Sequence, residues 1–283
     1  MQEEKIMNEV EDKKMEGTKG QVIVITSGKG GVGKTTTSAN LGCGLAIAGK
    51  SVVLIDADIG LRNLDVVMGL ENRIVYDLVD VVEGKCRLKQ ALIKDKRYPS
   101  LFLLAAAQTK DKTAVSPEQM QKLCETLREE HDYIIIDCPA GIEQGFKNAI
   151  AGADRAIVVA TPEVSSVRDA DRIVGLLEAA EIKNIRLILN RLRTDMIKRG
   201  EMMTIDDVVD ILAIDVLGLV PDDESIVVAS NRGEPAVADN NSRAGMSFRN
   251  ITQRILGNEV PFVEMEENGG FGSWLKKIFR TGN

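Results

Sequence analysis

Cysteine is scarce and scattered. Cys43, Cys86, Cys124 and Cys138 stand far apart with no C-x-x-C pair among them, so neither a metal site nor a small disulfide-stapled scaffold is indicated. The expected setting is a reducing interior. No apolar run approaches the roughly 18 residues of a membrane-spanning helix, and the acidic N-terminus lacks the pattern of a signal peptide. An excess of positive charge is missing too. The 283 residues carry 36 Lys and Arg against 43 Asp and Glu, a net charge of −7, whereas binding along a nucleic acid needs clustered cations. Specific nucleic-acid binding is not expected unless a local patch supplies them. The single histidine, His131, follows Arg128-Glu-Glu, a charged setting that predicts a surface residue rather than a ligand. No linker rich in Pro, Gly or Ser divides residues 20–258, so that span reads as one domain. Residues 1–19 are mostly charged with little apolar periodicity and read as a flexible acidic extension.

From residue 21 onward compact apolar runs alternate with amphipathic ones. The runs are 21–27, 51–56 (SVVLID), 101–106 (LFLLAA), 133–138 (YIIIDC), 156–161, 185–190 and 215–220. Most are apolar on both alternations, as strands covered on both faces must be. Helical periodicity falls between them, at 117–130, 166–181 and 204–212. Strand and helix in turn imply right-handed βαβ units. The expected fold is therefore α/β in three layers, a mainly parallel twisted sheet flanked by helices.

The first run leads into Gly28-x-x-x-x-Gly33-Lys34-Thr35, the phosphate-binding loop pattern in the strand-then-helix setting it requires. The spacing has a chemical reason. Gly28, Gly30, Gly31 and Gly33 allow backbone conformations closed to other residues, so that consecutive N–H groups, that of Val32 included, can turn toward an anion. A helix beginning near Gly33 adds its positive end, with Thr36 in its first turn. Lys34 would reach the β- and γ-phosphates and the Thr35 hydroxyl would ligate Mg2+. The expected ligand is a nucleoside triphosphate, and the fold is that of a P-loop NTPase.

A second lysine, Lys29, stands at the loop tip, where one lysine already suffices for the phosphates. It is either a solvated loop residue or a charge aimed outward. Carboxylates end two of the strands, Asp56-Ala-Asp58 and Asp137-Cys-Pro-Ala-Gly, and in open α/β sheets ligands bind beyond the carboxyl ends of the strands. Such residues could hold magnesium, directly or through water, or orient the attacking water. Each alone could equally be a helix cap or a turn residue.

The loop Lys29-Gly-Gly-Val-Gly-Lys-Thr resembles the deviant Walker A motif of the MinD/ParA class of ATPases. Asp58-Ile-Gly-Leu-Arg-Asn63-Leu-Asp65, Asp137-Cys-Pro-Ala-Gly141-Ile-Glu143, Pro162-Glu-Val-Ser-Ser-Val-Arg-Asp169-Ala-Asp171-Arg and Ser230-Asn-Arg-Gly-Glu-Pro235 are similar to the division-site members of that class, and the likeness extends over nearly everything from residue 21. The resemblance implies an ATP-dependent homodimer with nucleotide between the subunits and Lys29 acting in trans. It places Asp56 and Asp58 in switch I, Asp58 beside the hydrolytic water, and Asp137 in switch II near the metal. It puts Asn63, Glu163, Asp169 and Asp171 at the nucleotide-dependent interface. Asn190, Arg191, Pro221 and Asp222 would frame the purine, adenine being preferred; the absence of an Asn-Lys-x-Asp guanine signature adds thin support. On this reading Lys29, Lys34, Asp58 and Asp137 carry the chemistry, while Thr35, Asp56 and Asp137 hold Mg2+.

After Gly257 an acidic, glycine-containing stretch, 259–270, precedes FGSWLKKIFR. There Phe271, Trp274, Leu275, Ile278 and Phe279 recur at helical spacing and make one stripe, with Lys276, Lys277 and Arg280 on the other side. This is the composition of a helix lying in a membrane interface and favouring anionic lipid; a terminal helix docked on its own core or on a partner is the alternative. Residues 271–283 therefore read as a membrane-targeting tail. Five apolar side chains at about 1.5–3 kcal/mol each are roughly offset by the ordering of about ten residues. One such tail should bind weakly, and two on one dimer about 100-fold or more tightly.

The expected protein is a Mg-dependent ATPase, peripheral on the inner face of the cell membrane. The resemblance implies that it recruits a MinC-like division inhibitor to place the septum, under a MinE-like or polar-scaffold regulator. Three alternatives share the loop: a ParA-like DNA-segregation ATPase, a flagellar-number regulator, and an iron–sulfur carrier that Cys138 could suggest.

Overall fold

Alternating burial is what divides this chain into layers. The computed structural model describes residues 19–111 and 113–263. Among them eight strands form one sheet: β1 (Gln21–Thr26), β2 (Val52–Asp56), β3 (Ile93–Lys94), β4 (Leu101–Leu104), β5 (Tyr133–Asp137), β6 (Arg155–Ala160), β7 (Asn184–Leu192) and β8 (Asp215–Pro221). Their order is β3-β4-β2-β5-β1-β6-β7-β8. All neighbours pair in parallel except the edge strand β3, which runs antiparallel to β4. The chain leaves β1 toward β2 on one side and later crosses to β6 on the other, so β1 stands at the topological switch point. Its carboxyl end is where an open α/β sheet binds ligands.

Successive side chains of a strand point to opposite faces, and both faces are apolar. Val22, Val24, Ile134 and Ile136 pack with α2 (Pro117–Leu127), α3 (Val164–Ala179) and α4 (Ile205–Leu212). Ile23, Ile25, Leu54 and Ile135 pack with α1 (Lys34–Ile47) and α5 (Arg243–Ile255). The result is a three-layer α/β/α sandwich. Helix starts follow local chemistry. Ser116 and Gln119 close a capping box ahead of α2, with Pro117 in its first turn, and Thr204 and Asp207 do the same for α4. α1 is buried nearly all round because α5 covers it: a Cβ at Gly44 would fall 2.3 Å from Thr252 Oγ1.

The structure departs from the sequence reading at two places. β3 is an additional strand, and its two residues are too few to form an apolar run. His131 is half-buried rather than a surface residue; its Nδ1 lies 2.8 Å from Ser51 Oγ, its ring packs edge-on against Phe102 at 5.3 Å, and burial lowers its pKa. No helix among the described residues is long and apolar enough to cross a membrane. The extension up to residue 18 and the tail residues Phe271, Trp274, Leu275, Lys276, Lys277, Ile278, Phe279 and Arg280 lie outside the described residues.

Candidate nucleotide and metal site

β1 delivers the loop and α1 receives it. Between Thr26 and Lys34 the chain folds back at Gly31 and Gly33, whose φ values of 77° and 102° are left-handed. Closeness constrains it further. A Cβ on Gly28 would lie 2.3 Å from the carbonyl oxygen of Asp169 in α3, and one on Gly33 would lie 2.3 Å from Asn190 Nδ2. Asn190, near the end of β7, donates to Val32 O at 2.8 Å and so ties the loop to the far half of the sheet.

The two lysines take different roles. Lys34 is 8% exposed and donates to Ser27 Oγ at 2.9 Å, while that hydroxyl donates to Lys29 O at 2.7 Å. Burial lowers its pKa, with Asp137, Cys138 and Asp58 pulling the other way. Its ammonium is thus desolvated and held over the loop, where a phosphate would be its natural counter-ion. Lys29 stands in solvent and reaches the start of α3 on its own chain, 3.1 Å from Ser165 Oγ and 3.5 Å from Glu163 Oε2. An ion pair this exposed is worth only about 0–1 kcal/mol, so the lysine can be released cheaply.

Asp56 and Asp137 are register partners on adjacent strands, and both are buried. Burial raises the pKa of each; the charges of Asp137 and Asp58 raise that of Asp56 further, and the charge of Asp58 raises that of Asp137. Asp56 is partly compensated by the N–H groups of Asp58 (3.0 Å) and Leu64 (3.2 Å). Asp137 is compensated by the Thr35 hydroxyl, Lys34 and Ser38, whose Oγ lies 3.0 Å away. Two buried carboxylates side by side, next to a threonine hydroxyl and a cationic loop, fit a hard dication with oxygen ligands. Among the described residues no three His, Cys, Asp or Glu cluster to form a metal cage.

Asn190, Arg191, Pro221 and Asp222 meet Gly33 and Thr36 around a cavity of ≈ 190 Å³. β7 and β8 bring them together: Asp222 N donates to Leu192 O at 3.0 Å, and Arg191 is left-handed at φ 56°. Ile226 and Phe248 complete the wall. Sequence reading missed both, along with Ser27 and Ser38, since none belongs to a motif; Ser165 lay within the quoted stretch 162–172 but was given no role. Glu163 and Asp171 are exposed and Asp169 half-buried on or just before α3, and Asn63 is exposed beyond β2. Gly30 is exposed and Thr35 half-buried. Cys138 is buried with its thiol pushed up to about 12, and all four cysteines are free; the described residues hold no thiolate cluster for an iron–sulfur centre.

Residues 23–236 match the CobQ/CobB/MinD/ParA nucleotide binding domain. The chain belongs to the MinD/ParA family. It is 62% identical over 92% of its length, and 98% of the relative's, to the septum site-determining protein MinD of Bacillus subtilis. MinD in the MinC:MinD complex of Aquifex aeolicus superposes with a TM-score of 0.81 at 48% identity, covering 87% of this chain and 99% of that one. MinD of Pyrococcus horikoshii, complexed with Mg-ADP, gives a TM-score of 0.76 at 28% identity over 83% of this chain and 96% of its own. The mainly parallel sheet with helices on both faces is thus the MinD/ParA fold, and the loop at the end of β1 lies within its nucleotide-binding domain.

Proposed function

We propose that this protein is a septum site-determining ATPase of the MinD type, which hydrolyses ATP with Mg2+ and takes part in placing the division site. The observation that carries the reading is the loop itself. A buried, desolvated Lys34 sits beside paired buried carboxylates, while a second, exposed lysine is held loosely on the chain's own surface. Such a site binds nucleotide with one lysine and keeps the other available. The loop N–H groups and Lys34 would hold the β- and γ-phosphates, and Thr35 and Asp137 would hold Mg2+, which stabilises the charge that develops on the transferring phosphoryl group. Asp58 would orient the attacking water. Asp56, whose two oxygens accept the N–H groups of Asp58 and Leu64, would reach the ion through water.

Release of Lys29 from Glu163 and Ser165 would let it cross to the nucleotide of a second copy, so that hydrolysis waits for assembly. The homodimer would present two copies of segment 271–280 to anionic lipid and dock on the inner face of the cell membrane. There it would recruit a MinC-like division inhibitor, as the likeness to MinD from a MinC:MinD complex suggests, and answer to a MinE-like or polar-scaffold regulator. A flagellar-number regulator shares the same loop and tail logic, and the division-site relatives favour the septal reading.

Co-sedimentation with anionic vesicles in ATP or ADP, using the full chain and one ending at Gly269, tests this. Binding should require both ATP and the tail. Equal binding in the two nucleotides would make the tail a constitutive anchor, and binding without the tail would overturn the switch.

A further inference from the structure

The end of the sheet opposite the nucleotide loop carries a second cavity, of ≈ 390 Å³, enclosed by the first residues of β1, β5, β6, β7 and β8 and by the last turn of α5. Three arginines line it, Arg155, Arg186 and Arg254, and no Asp or Glu does. In a chain of net charge −7 that is a local reversal of sign. Strand register explains how it arises. Arg155 pairs with Ile23, and Arg186 with Ile157; both isoleucines face the α1–α5 layer. The two arginines therefore occupy core-facing positions at the rim of that layer, where an apolar side chain would complete the pattern.

The cation of Arg186 is weakly committed, whereas that of Arg254 is held by backbone carbonyls. Arg186 pairs with Asp215 at 4.0 Å, and that aspartate is 83% exposed, a pair worth about 0–1 kcal/mol. Arg254 donates to Leu217 O at 2.9 Å and to Val260 O at 3.0 and 3.1 Å, and its guanidinium stacks 4.0 Å from the Phe262 ring centroid. Burial brings its pKa down to about 10, a cost that an anion alongside would offset. Gln21 also lines the cavity, and its Oε1 is buried without a hydrogen-bond partner. Guanidinium forks take phosphate in bidentate fashion, and the stranded amide oxygen calls for a hydroxyl donor. The headgroup of phosphatidylglycerol, a phosphodiester that carries a free glycerol, offers both.

The place matters as much as the chemistry. Arg254 pins Val260 and Phe262, and Asn250 donates to Pro261 O at 3.0 Å, so the chain leaves the described domain at this cavity. From residue 263 to 271 it can span no more than on the order of 30 Å. A tail lying on a bilayer would hold this end of the sheet near the headgroups. We propose that the cavity binds the phosphate of an anionic glycerophospholipid, a second lipid contact beside the tail. The inference rests on the reading of 271–280 as the membrane-targeting segment.

The test uses the full chain with ATP, vesicles of phosphatidylcholine containing phosphatidylglycerol, and two double variants of equal charge change. Arg155→Ala/Arg186→Ala alters the cavity, and Lys89→Ala/Lys183→Ala removes exposed cations near the same end of the sheet. Arg254 is left alone because its carbonyl bonds hold the chain. The lipid concentration for half-binding should rise at least about 5-fold for the arginine variant and less than about 2-fold for the lysine variant. In parallel, sn-glycerol 3-phosphate, with the nucleotide loop filled by a non-hydrolysable ATP analogue, should show 31P line broadening that the arginine variant abolishes. Equal weakening by both variants would mean that only net charge counts, and would overturn the proposal. Broadening lost without any change in vesicle affinity would make the ligand a soluble phosphate and remove the lipid. If the unmodified chain never sediments, the tail reading fails by itself, and the glycerophosphate titration alone decides whether the cavity takes phosphate.

Discussion

Lys34 and Lys29 leave one loop for two environments, and the difference is measurable. Lys34→Ala should abolish nucleotide binding, a loss of at least about 100-fold in affinity, because it removes a buried charge-assisted partner of phosphate. Lys29→Ala should keep nucleotide affinity within about 3-fold while abolishing ATP-dependent dimerisation and hydrolysis, since its present contacts are exposed and weak. Calorimetric titration and size-exclusion in ATP separate the two; equal loss of affinity would sink the assignment in trans. The buried pair Asp56 and Asp137 gives a second test. A carboxyl whose pKa is raised on folding favours the native state below its unfolded value and loses that contribution as pH climbs through the native one. For Asp56 that window runs from 3.8 to about 8. Asp137→Asn removes the like charge while its amide oxygen still accepts from Ser38. Without nucleotide and metal, the Tm of Asp137→Asn relative to the unmodified chain should therefore rise by a few degrees between pH 5 and 8. A flat difference would mean that the two carboxylates do not interact. Both aspartates were legible in the sequence as strand-end residues. Their adjacency was not, because it depends on β2 and β5 being neighbours, and strand order is absent from any local pattern.

Helices α1 and α5 show what an element contributes that a motif cannot. The loop was readable from glycine spacing alone, yet what fixes it is contact from elsewhere: Asp169 of α3 against Gly28, Asn190 of β7 against Gly33, and α5 over α1. Phe248 of α5 is 1% exposed and reaches the cavity shared by Asn190 and Pro221. Phe248→Ala should cost about 3–5 kcal/mol, which for a domain of this size lowers Tm by roughly 10 °C, and it should weaken nucleotide binding as the cavity wall collapses. Urea unfolding read beside nucleotide titration checks both; a loss of stability without loss of affinity would detach α5 from the site. Apolar runs identified strands of four residues or more because a strand covered on both faces declares itself only by a run of that length. β3 failed that condition, and α1, buried on all sides, offered no polar face to mark its orientation.

At the scale of the whole molecule, charge and geometry decide between partners that share one loop. The net charge of −7 repels polyanions at long range, so an anionic partner has to be held by local features that outweigh it. Duplex DNA presents about one phosphate per 1.7 Å and rewards a continuous stripe of cations. Arg155, Arg186 and Arg254 instead line a recess of ≈ 390 Å³, which admits a single phosphate group but cannot follow a backbone. A mobility shift with random duplex DNA at 50 mM salt, in ATP, should therefore show no complex at micromolar protein, and raising the salt should change nothing. A shift that disappears between about 50 and 200 mM salt would report several phosphate contacts and favour the DNA-segregation reading over the membrane one. On the proposed reading the same chain should meanwhile sediment with anionic vesicles, because the apolar side chains of 271–280 would supply free energy there that DNA cannot match. Separating the two surfaces in one buffer makes the comparison direct: vesicle binding without DNA binding is the outcome that the proposed membrane reading requires.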